Sequence, residues 1–340
     1  MPPDQSPLMK ALNPLAAPLY SRLRYPRVPD FPRSFMIETT SRCNLNCRMC
    51  PRGQMRRPAQ DMAPELFRSI IDQIAEYDRC DTIELVALHG FGEPLMHPEL
   101  CDFIEYAGSR LPNLLKRGML REAVKGLAIS TNAVLMDEDR ARPLLDSKLT
   151  WLGVSLDGST AETFEAMRVG ARFDEVAANI SRLLEINRRT PRALPTIAIQ
   201  VIASRTTEPE FSAVVRRWRE VAGPVENVRI ELKPYTDWAG QVQAEELHSA
   251  DQRRHFLQVN CGYAHHTMVI AANGQLGLCC RDVQADQGLG SAMDTPLREL
   301  WHGLRLNEIR RKLASGWMGD LRLCCNCEMS RKYPADCSRR

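Results

Sequence analysis

Six short apolar runs rich in β-prone residues recur along the chain: Ser34 to Glu38, Ile83 to Leu88, Leu127 to Ser130, Leu152 to Leu156, Thr196 to Ile202 and Val228 to Leu232. The stretches between them carry helical signals. Pro64 suits a first helical position, Ser159 with Glu162 reads as a capping box, and Pro209 reads as the start of a further helix. Strands alternating with helices predict crossovers and a parallel sheet, an α/β fold. Periodicity alone does not choose between an open sheet and a barrel. Leu111 to Gly126 is long for a connection and carries Lys116, Arg117, Arg121 and Lys125, which suggests a basic helical excursion.

The pattern is different at the two ends. Residues 1–33 hold Pro2, Pro3, Pro7, Pro14, Pro18, Pro26, Pro29 and Pro32, which rule out long regular elements and suggest an extension along the body. After Lys233-Pro234-Tyr235 the chain turns polar and linker-like. Beyond Asn260, Met268 to Ala271 and Leu276 to Cys280 flank Asn273-Gly274, a tight hairpin signal. Pro296 to Leu313 then has apolar residues at near-helical spacing. The expected organisation is an extension (1–33), an α/β core (34–235), and a linker with a small C-terminal domain (236–340).

Composition narrows the class. An apolar content of 44% and a charged content of 26% are those of a globular protein, and a net charge of +3 gives no reason to invoke nucleic acid. No apolar run reaches membrane-spanning length and the N-terminus lacks an apolar signal region, so a cytoplasmic enzyme is expected. In that compartment the 12 cysteines are not expected to form disulfides. Their grouping at 43/47/50, 261/279/280 and 324/325/327 points to metal instead. Cys80 and Cys101 stand apart and read as small buried hydrophobes.

The first group lies in Thr40-Ser41-Arg42-Cys43-Asn44-Leu45-Asn46-Cys47-Arg48-Met49-Cys50-Pro51, a CxxxCxxC loop. A four-iron cubane normally takes four thiolates, so a local set of three leaves one iron open. Structural zinc is the alternative, but it closes with four ligands, and this segment offers no fourth Cys or His. The loop resembles that of the radical S-adenosylmethionine (radical SAM) enzymes. The resemblance implies a partial (β/α)6 barrel in which the open iron chelates SAM, and reduction cleaves SAM to a 5'-deoxyadenosyl radical that abstracts hydrogen from carbon. It also implies a one-electron donor such as flavodoxin or ferredoxin. Met49 stands where the family usually has an aromatic residue and can still pack near adenine.

Further resemblances follow at the strand ends, where chemistry gathers in parallel α/β barrels. His89-Gly90-Phe91-Gly92-Glu93-Pro94 is similar to the family's GGEP turn, which implies that Gly90, Gly92 and Glu93 border the methionyl amino group, with Phe91 as a departure. Ser130-Thr131-Asn132 and Ser155-Leu156-Asp157-Gly158 resemble segments bordering the ribose and methionyl carboxylate, which implies Asn132, Ser155 and Asp157 as contacts. Arg168 matches the arginine that pairs with the carboxylate.

The second group resembles the twitch or SPASM domain of radical SAM enzymes, which implies one auxiliary 4Fe-4S cluster on Cys261, Cys279, Cys324 and Cys327. Successive residues on a strand face opposite ways, so only one of Cys279 and Cys280 is expected at the cluster. Cys279 fits the family's spacing from Gly274, and Cys325 and Cys337 remain alternates. A zinc knuckle is the competing reading. The whole suggests oxidation of a small molecule, with the auxiliary cluster taking the second electron. The alternatives are redox-neutral epimerisation with Cys280 as hydrogen donor, modification of a peptide, and a non-enzymatic metal scaffold or electron carrier.

Overall fold

The computed structural model describes residues 28–118, 124–190, 194–242, 261–315 and 320–327. Most of the N-terminal extension, most of the linker, Cys337 and the paired Arg339 and Arg340 lie outside the described residues.

The strands are β1 (Ser34–Ile37), β2 (Leu85–Ala87), β3 (Gly126–Thr131), β4 (Trp151–Ser155), β5 (Thr196–Ala203), β6 (Val228–Pro234), β7 (Thr267–Ile270) and β8 (Leu276–Gly277). They form one open sheet in the order β6-β5-β4-β3-β2-β1-β7-β8. Neighbours from β6 through to β7 pair in parallel, and only β7 with β8 is antiparallel. The first six strands thus lie side by side in chain order, the arrangement of a partial (β/α)6 barrel. Central strands such as β4 are buried along most of their length, which explains their continuous apolar sequence.

Helices cover one face. Pro64–Asp78 starts with proline at its first turn and turns Phe67, Ile70, Ile71 and Ile74 inward, a helical stripe. Each of these four side chains is fully buried and contributes roughly 1.5–3 kcal/mol relative to exposure. Phe173–Arg189 repeats the design with Val176, Ile180, Leu183 and Leu184. Phe211–Ala222 ends at Gly223, whose φ of +69° favours glycine. The other face holds a smaller cluster of Ala128, Trp151 and Ala198, with Leu85 and Val124 against it.

Several local expectations change. The long connection after Leu100–Arg110 contains a helix, Pro112–Gly118, whose first amides are capped by the buried Asp78: Asn113 N and Leu114 N donate to its carboxylate at 3.0 and 2.8 Å. The helix Ala161–Met167 is capped by Thr160, which accepts from Thr163 N; Ser159 is drawn away to the Glu210 carboxylate. Pro209 lies in a turn before Phe211–Ala222 instead of opening it. The apolar repeat after Pro296 is broken into Leu297–Trp301 and Leu304–Ser315, with Gly303 between them. Cys80 and Cys101 are exposed rather than core residues.

The hairpin does not stand apart from the core. β7 pairs with β1 from Ser34↔Thr267 to Ile37↔Ile270, so the C-terminal region extends the same sheet.

Candidate metal centres

The CxxxCxxC loop follows β1 and is held from several strand ends. Glu93 N donates to Arg42 O at 2.8 Å, Asn46 N to Val169 O at 2.9 Å and Arg48 N to Met167 O at 3.0 Å. The Asn132 amide donates to Asn44 Oδ1 at 2.9 Å, and Trp238 Nε1 donates to Met49 O at 2.7 Å. Gly92 is required by this closeness, because a Cβ there would lie 2.0 Å from Thr40 O. At Gly90 the obstacle is the side chain of Glu38, 2.7 Å from the added carbon.

Cys43, Cys47 and Cys50 share one environment. Burial pushes the Cys50 thiol up to about 11 despite a backbone hydrogen bond from Arg52, and Cys47 and Cys43 push the same way. Burial also raises Cys47, opposed by Arg168 and reinforced by Asp157. Such thiols stay protonated at neutral pH until a metal displaces the proton. Among the described residues no three His, Cys, Asp or Glu side chains converge to chelate a single ion. A cubane carries its ligands on separate irons, so thiols that lie within one another's field without converging on one point fit it.

Beside the loop sits the buried pair Arg168–Asp157. Arg168 Nε donates to Asp157 Oδ2 at 2.7 Å, and its Nη1 lies 4.0 Å from Cys47 Sγ. The side chains are 12% and 0% exposed, so Arg168 is no surface residue. Burial alone would lower its pKa; Asp157 and the thiols of Cys47 and Cys50 hold it above the usual arginine value. Asp157 also accepts from Ile202 N at 2.6 Å, tying the end of β4 to β5. Ser155 ends β4 opposite Gln200.

Glu93 is committed inward. Its carboxylate accepts from Thr131 Oγ1 at 2.6 Å, Asn132 N at 2.7 Å and Leu95 N at 3.1 Å, while burial raises its pKa. It therefore locks the end of β2 to the end of β3. Met49 lies in an apolar cluster with Met167, Tyr235 and Val242, against which Cys47, Ile202 and Trp238 pack.

Two residues were not singled out by sequence reasoning. Trp238 looked like part of a linker, yet it anchors the cluster loop and faces Phe91, with ring centroids 5.8 Å apart. His89 ends the run of β2, and its Nδ1 is buried without a hydrogen-bond partner among the described residues. Burial pushes this imidazole down to about 4. Its place immediately before the Gly90 turn was the available signal.

The second thiol set assembles from distant segments. Burial, with Cys280 and Cys261, raises Cys279 well above the ordinary thiol range, and Cys324 adds to this. Burial pushes Cys324 up to about 12, joined by Cys261 and Cys327. Cys261, Cys279, Cys280 and Cys324 therefore lie within one another's field, and Cys327 joins them through Cys324. The face-alternation argument for Cys279 over Cys280 does not hold, because β8 ends at Gly277 and both cysteines lie in the bend beyond it. Cys280 faces its own partners: Arg281 Nη1 lies 3.7 Å from its sulfur, and the Tyr263 phenol is raised by Cys280 first and by burial second.

Residues 37–198 match the profile of the radical SAM superfamily, and residues 261–328 match that of the SPASM iron-sulfur cluster-binding domain. The chain is similar to a probable GTP 3',8-cyclase of Methanococcus maripaludis, 24% identical over 234 residues that cover 66% of this chain and 70% of that protein. It is also similar to a tungsten-containing aldehyde ferredoxin oxidoreductase cofactor-modifying protein of Pyrococcus furiosus, 25% identical over 182 residues, 53% of this chain and 46% of that one. In fold it is similar to BtrN, solved with AdoMet and 2-DOIA (TM-score 0.54, 16% identity, covering 87% of this chain and 92% of that one). SuiB of Streptococcus suis bound to S-adenosylmethionine gives a TM-score of 0.62 at 15% identity, covering 91% of this chain and 75% of that one. Among the described residues no helix is long and apolar enough to cross a membrane.

Proposed function

The chain belongs to the radical SAM superfamily and carries a C-terminal SPASM domain, and from that premise we infer that it oxidises a small molecule at a carbon bearing oxygen or nitrogen. When bound, SAM on the first 4Fe-4S cluster supplies a radical that takes hydrogen from carbon, and an auxiliary 4Fe-4S cluster supplies an acceptor for the electron released as a carbonyl or imine forms. Cys43, Cys47 and Cys50 would hold the first cluster, and Cys261, Cys279, Cys324 and Cys327 the second.

The observation that supports this reading is the convergence of Cys261, Cys279 and Cys324, with Cys327 beside Cys324. A cubane held by Cys261, Cys279, Cys324 and Cys327 would leave no iron for substrate, and such a site is suited to electrons rather than to binding. The residues around the first site exclude water and orient. Met49 with its apolar neighbours offers a wall for adenine, and the buried Arg168 guanidinium offers charge for a carboxylate. Gly90, Gly92, Glu93, Asn132 and Ser155 shape the adjoining rim. His89, neutral at physiological pH and without an Nδ1 partner among the described residues, offers that rim a hydrogen-bonding imidazole; burial disfavours its charged form, so it is suited to orienting a substrate hydroxyl or amine rather than to holding its proton. An external donor such as flavodoxin or ferredoxin would supply the first electron.

The test uses the reconstituted holoenzyme with SAM, a reductant and fractions of a fully deuterated small-molecule extract. The fraction that delivers deuterium into 5'-deoxyadenosine contains the substrate. A product lighter by two hydrogen atoms supports dehydrogenation. A product lighter by one mass unit, one deuterium replaced by a hydrogen drawn from solvent, would replace it by epimerisation, and uptake of that solvent hydrogen only while Cys280 is intact would identify the donor.

A further inference from the structure

The segments that leave the two cysteine sets are stitched to each other. Past Cys50, Arg56 N donates to Gln284 Oε1 at 2.9 Å, and Gln284 Nε2 donates back to Gln54 O at 2.8 Å. Gln241, just beyond the Trp238 that anchors the first loop, donates to Arg281 O at 2.7 Å. Arg57 Nε donates to Val283 O at 2.8 Å. Residues 54–57 follow the last thiol of the first set, and residues 281–284 follow Cys279 and Cys280 of the second.

A buried ion pair fastens this seam. Arg57 sets its fork on Glu38, Nη1 to Oε2 at 2.6 Å and Nη2 to Oε1 at 2.7 Å, and the two side chains are 7% and 3% exposed. Glu38 continues β1 between β2 and β7, and its remaining capacity is used on both sides: Phe91 N donates to Oε1 and Ala272 N to Oε2, each at 3.0 Å. One carboxylate therefore holds the Gly90–Gly92 turn, the segment after the first cluster loop and the hairpin that leads to Cys279.

We propose that Glu38, Arg57 and Gln284 are positioning residues that fix the distance and orientation between the two cluster sites. A bidentate guanidinium–carboxylate pair suits this task because it resists rotation as well as separation. Electron tunnelling weakens steeply with distance, so a fixed separation matters to any reaction in which both clusters take part. The inference rests on the presence of two cluster sites and is independent of which reaction the substrate undergoes.

The experiment compares wild-type holoprotein with Arg57→Lys and Gln284→Ala, each loaded to about eight irons per chain. Three properties are read: substrate-free SAM cleavage, the dipolar interaction between the two reduced clusters by pulsed EPR, and amide exchange over residues 281–285. The expected result is cleavage within about twofold of wild type, a shifted or broadened dipolar interaction, and exchange over 281–285 faster by tenfold or more, a loss of about 1.4 kcal/mol of local protection. Gln284→Ala leaves the buried pair intact and carries the test if Arg57→Lys does not fold. An unchanged dipolar interaction in a fully loaded variant overturns the proposal, as does an unchanged exchange rate at the seam.

Discussion

The two thiol sets are both half-buried, but they are built on opposite plans. The first lies within eight consecutive residues, Cys43 to Cys50, and is surrounded by polar machinery: the Arg168–Asp157 pair, the Asn132 amide and the inward Glu93. The second is gathered from segments as far apart as Cys261 and Cys327 and has enough thiols to offer a fourth donor. A local three-donor loop amid hydrogen-bonding groups is an open site made to chelate something further. A dispersed set able to give four donors would be closed, and on the proposed reading its ligands also tie the C-terminal segments together.

The sharpest break in this comparison is to empty each site in turn. Replacing Cys43, Cys47 and Cys50 with Ala should cut iron from about eight to about four per chain and abolish SAM cleavage. Replacing Cys261, Cys279, Cys324 and Cys327 should also leave about four irons, retain slow substrate-free cleavage and abolish product. Iron analysis with chromatography of 5'-deoxyadenosine reads both. Equal loss of cleavage in the two variants would show that the sites are not functionally distinct.

The next effect concerns the polar machinery of the first region. Arg168→Ala strands Asp157, which is fully buried, and should cost roughly 3–5 kcal/mol of stability, the usual result of leaving half of a buried pair. Asp157→Asn should be milder, because the amide keeps one acceptor for Ile202 N. Denaturant titration reads stability, and calorimetry reads SAM affinity. If Arg168 serves SAM as well as Asp157, Asp157→Asn should retain binding while Arg168→Ala loses it. Equal affinities would leave Arg168 a purely structural residue.

Legibility followed the same divide. The first site was readable because its ligands are neighbours in sequence and its supporting turns sit at strand ends that β-prone runs reveal. The parallel pairing of the core strands was readable too, since alternation with helices restricts them to it, whereas their order came only with the resemblance to a partial (β/α)6 barrel. The joining of β7 to β1 was not, because pairing across more than two hundred residues leaves no local trace. Glu38 and Arg57 escaped for the same reason: a charged residue at a strand end reads as solvated until the chain that covers it is in place. Helix starts failed where a tertiary partner outbid the local one, as Glu210 did for Ser159.

The smallest expected effect compares the regions through a buried histidine in each. Burial pushes His89 down to about 4, and His265, beside the second set, is also pushed down to about 4 by burial together with Arg310 and His266. A depressed histidine pKa means the unfolded chain binds the proton first. As pH falls from the ordinary value of 6.5 towards 4, unfolding therefore takes up protons and the fold loses stability; below 4 the folded state is protonated too and the loss levels off. Each residue can account for no more than roughly 3–4 kcal/mol of that decline. Asn in place of either should flatten the stability curve between these limits, measured as the pH-dependent difference from wild type by urea titration. Salt separates the causes. The His89 difference comes from burial and should persist at high ionic strength, whereas the share of the His265 difference owed to Arg310 should shrink, though modestly, because that guanidinium is itself buried. A His89 difference that vanished with salt would mean that a charge, and not burial, keeps this imidazole neutral.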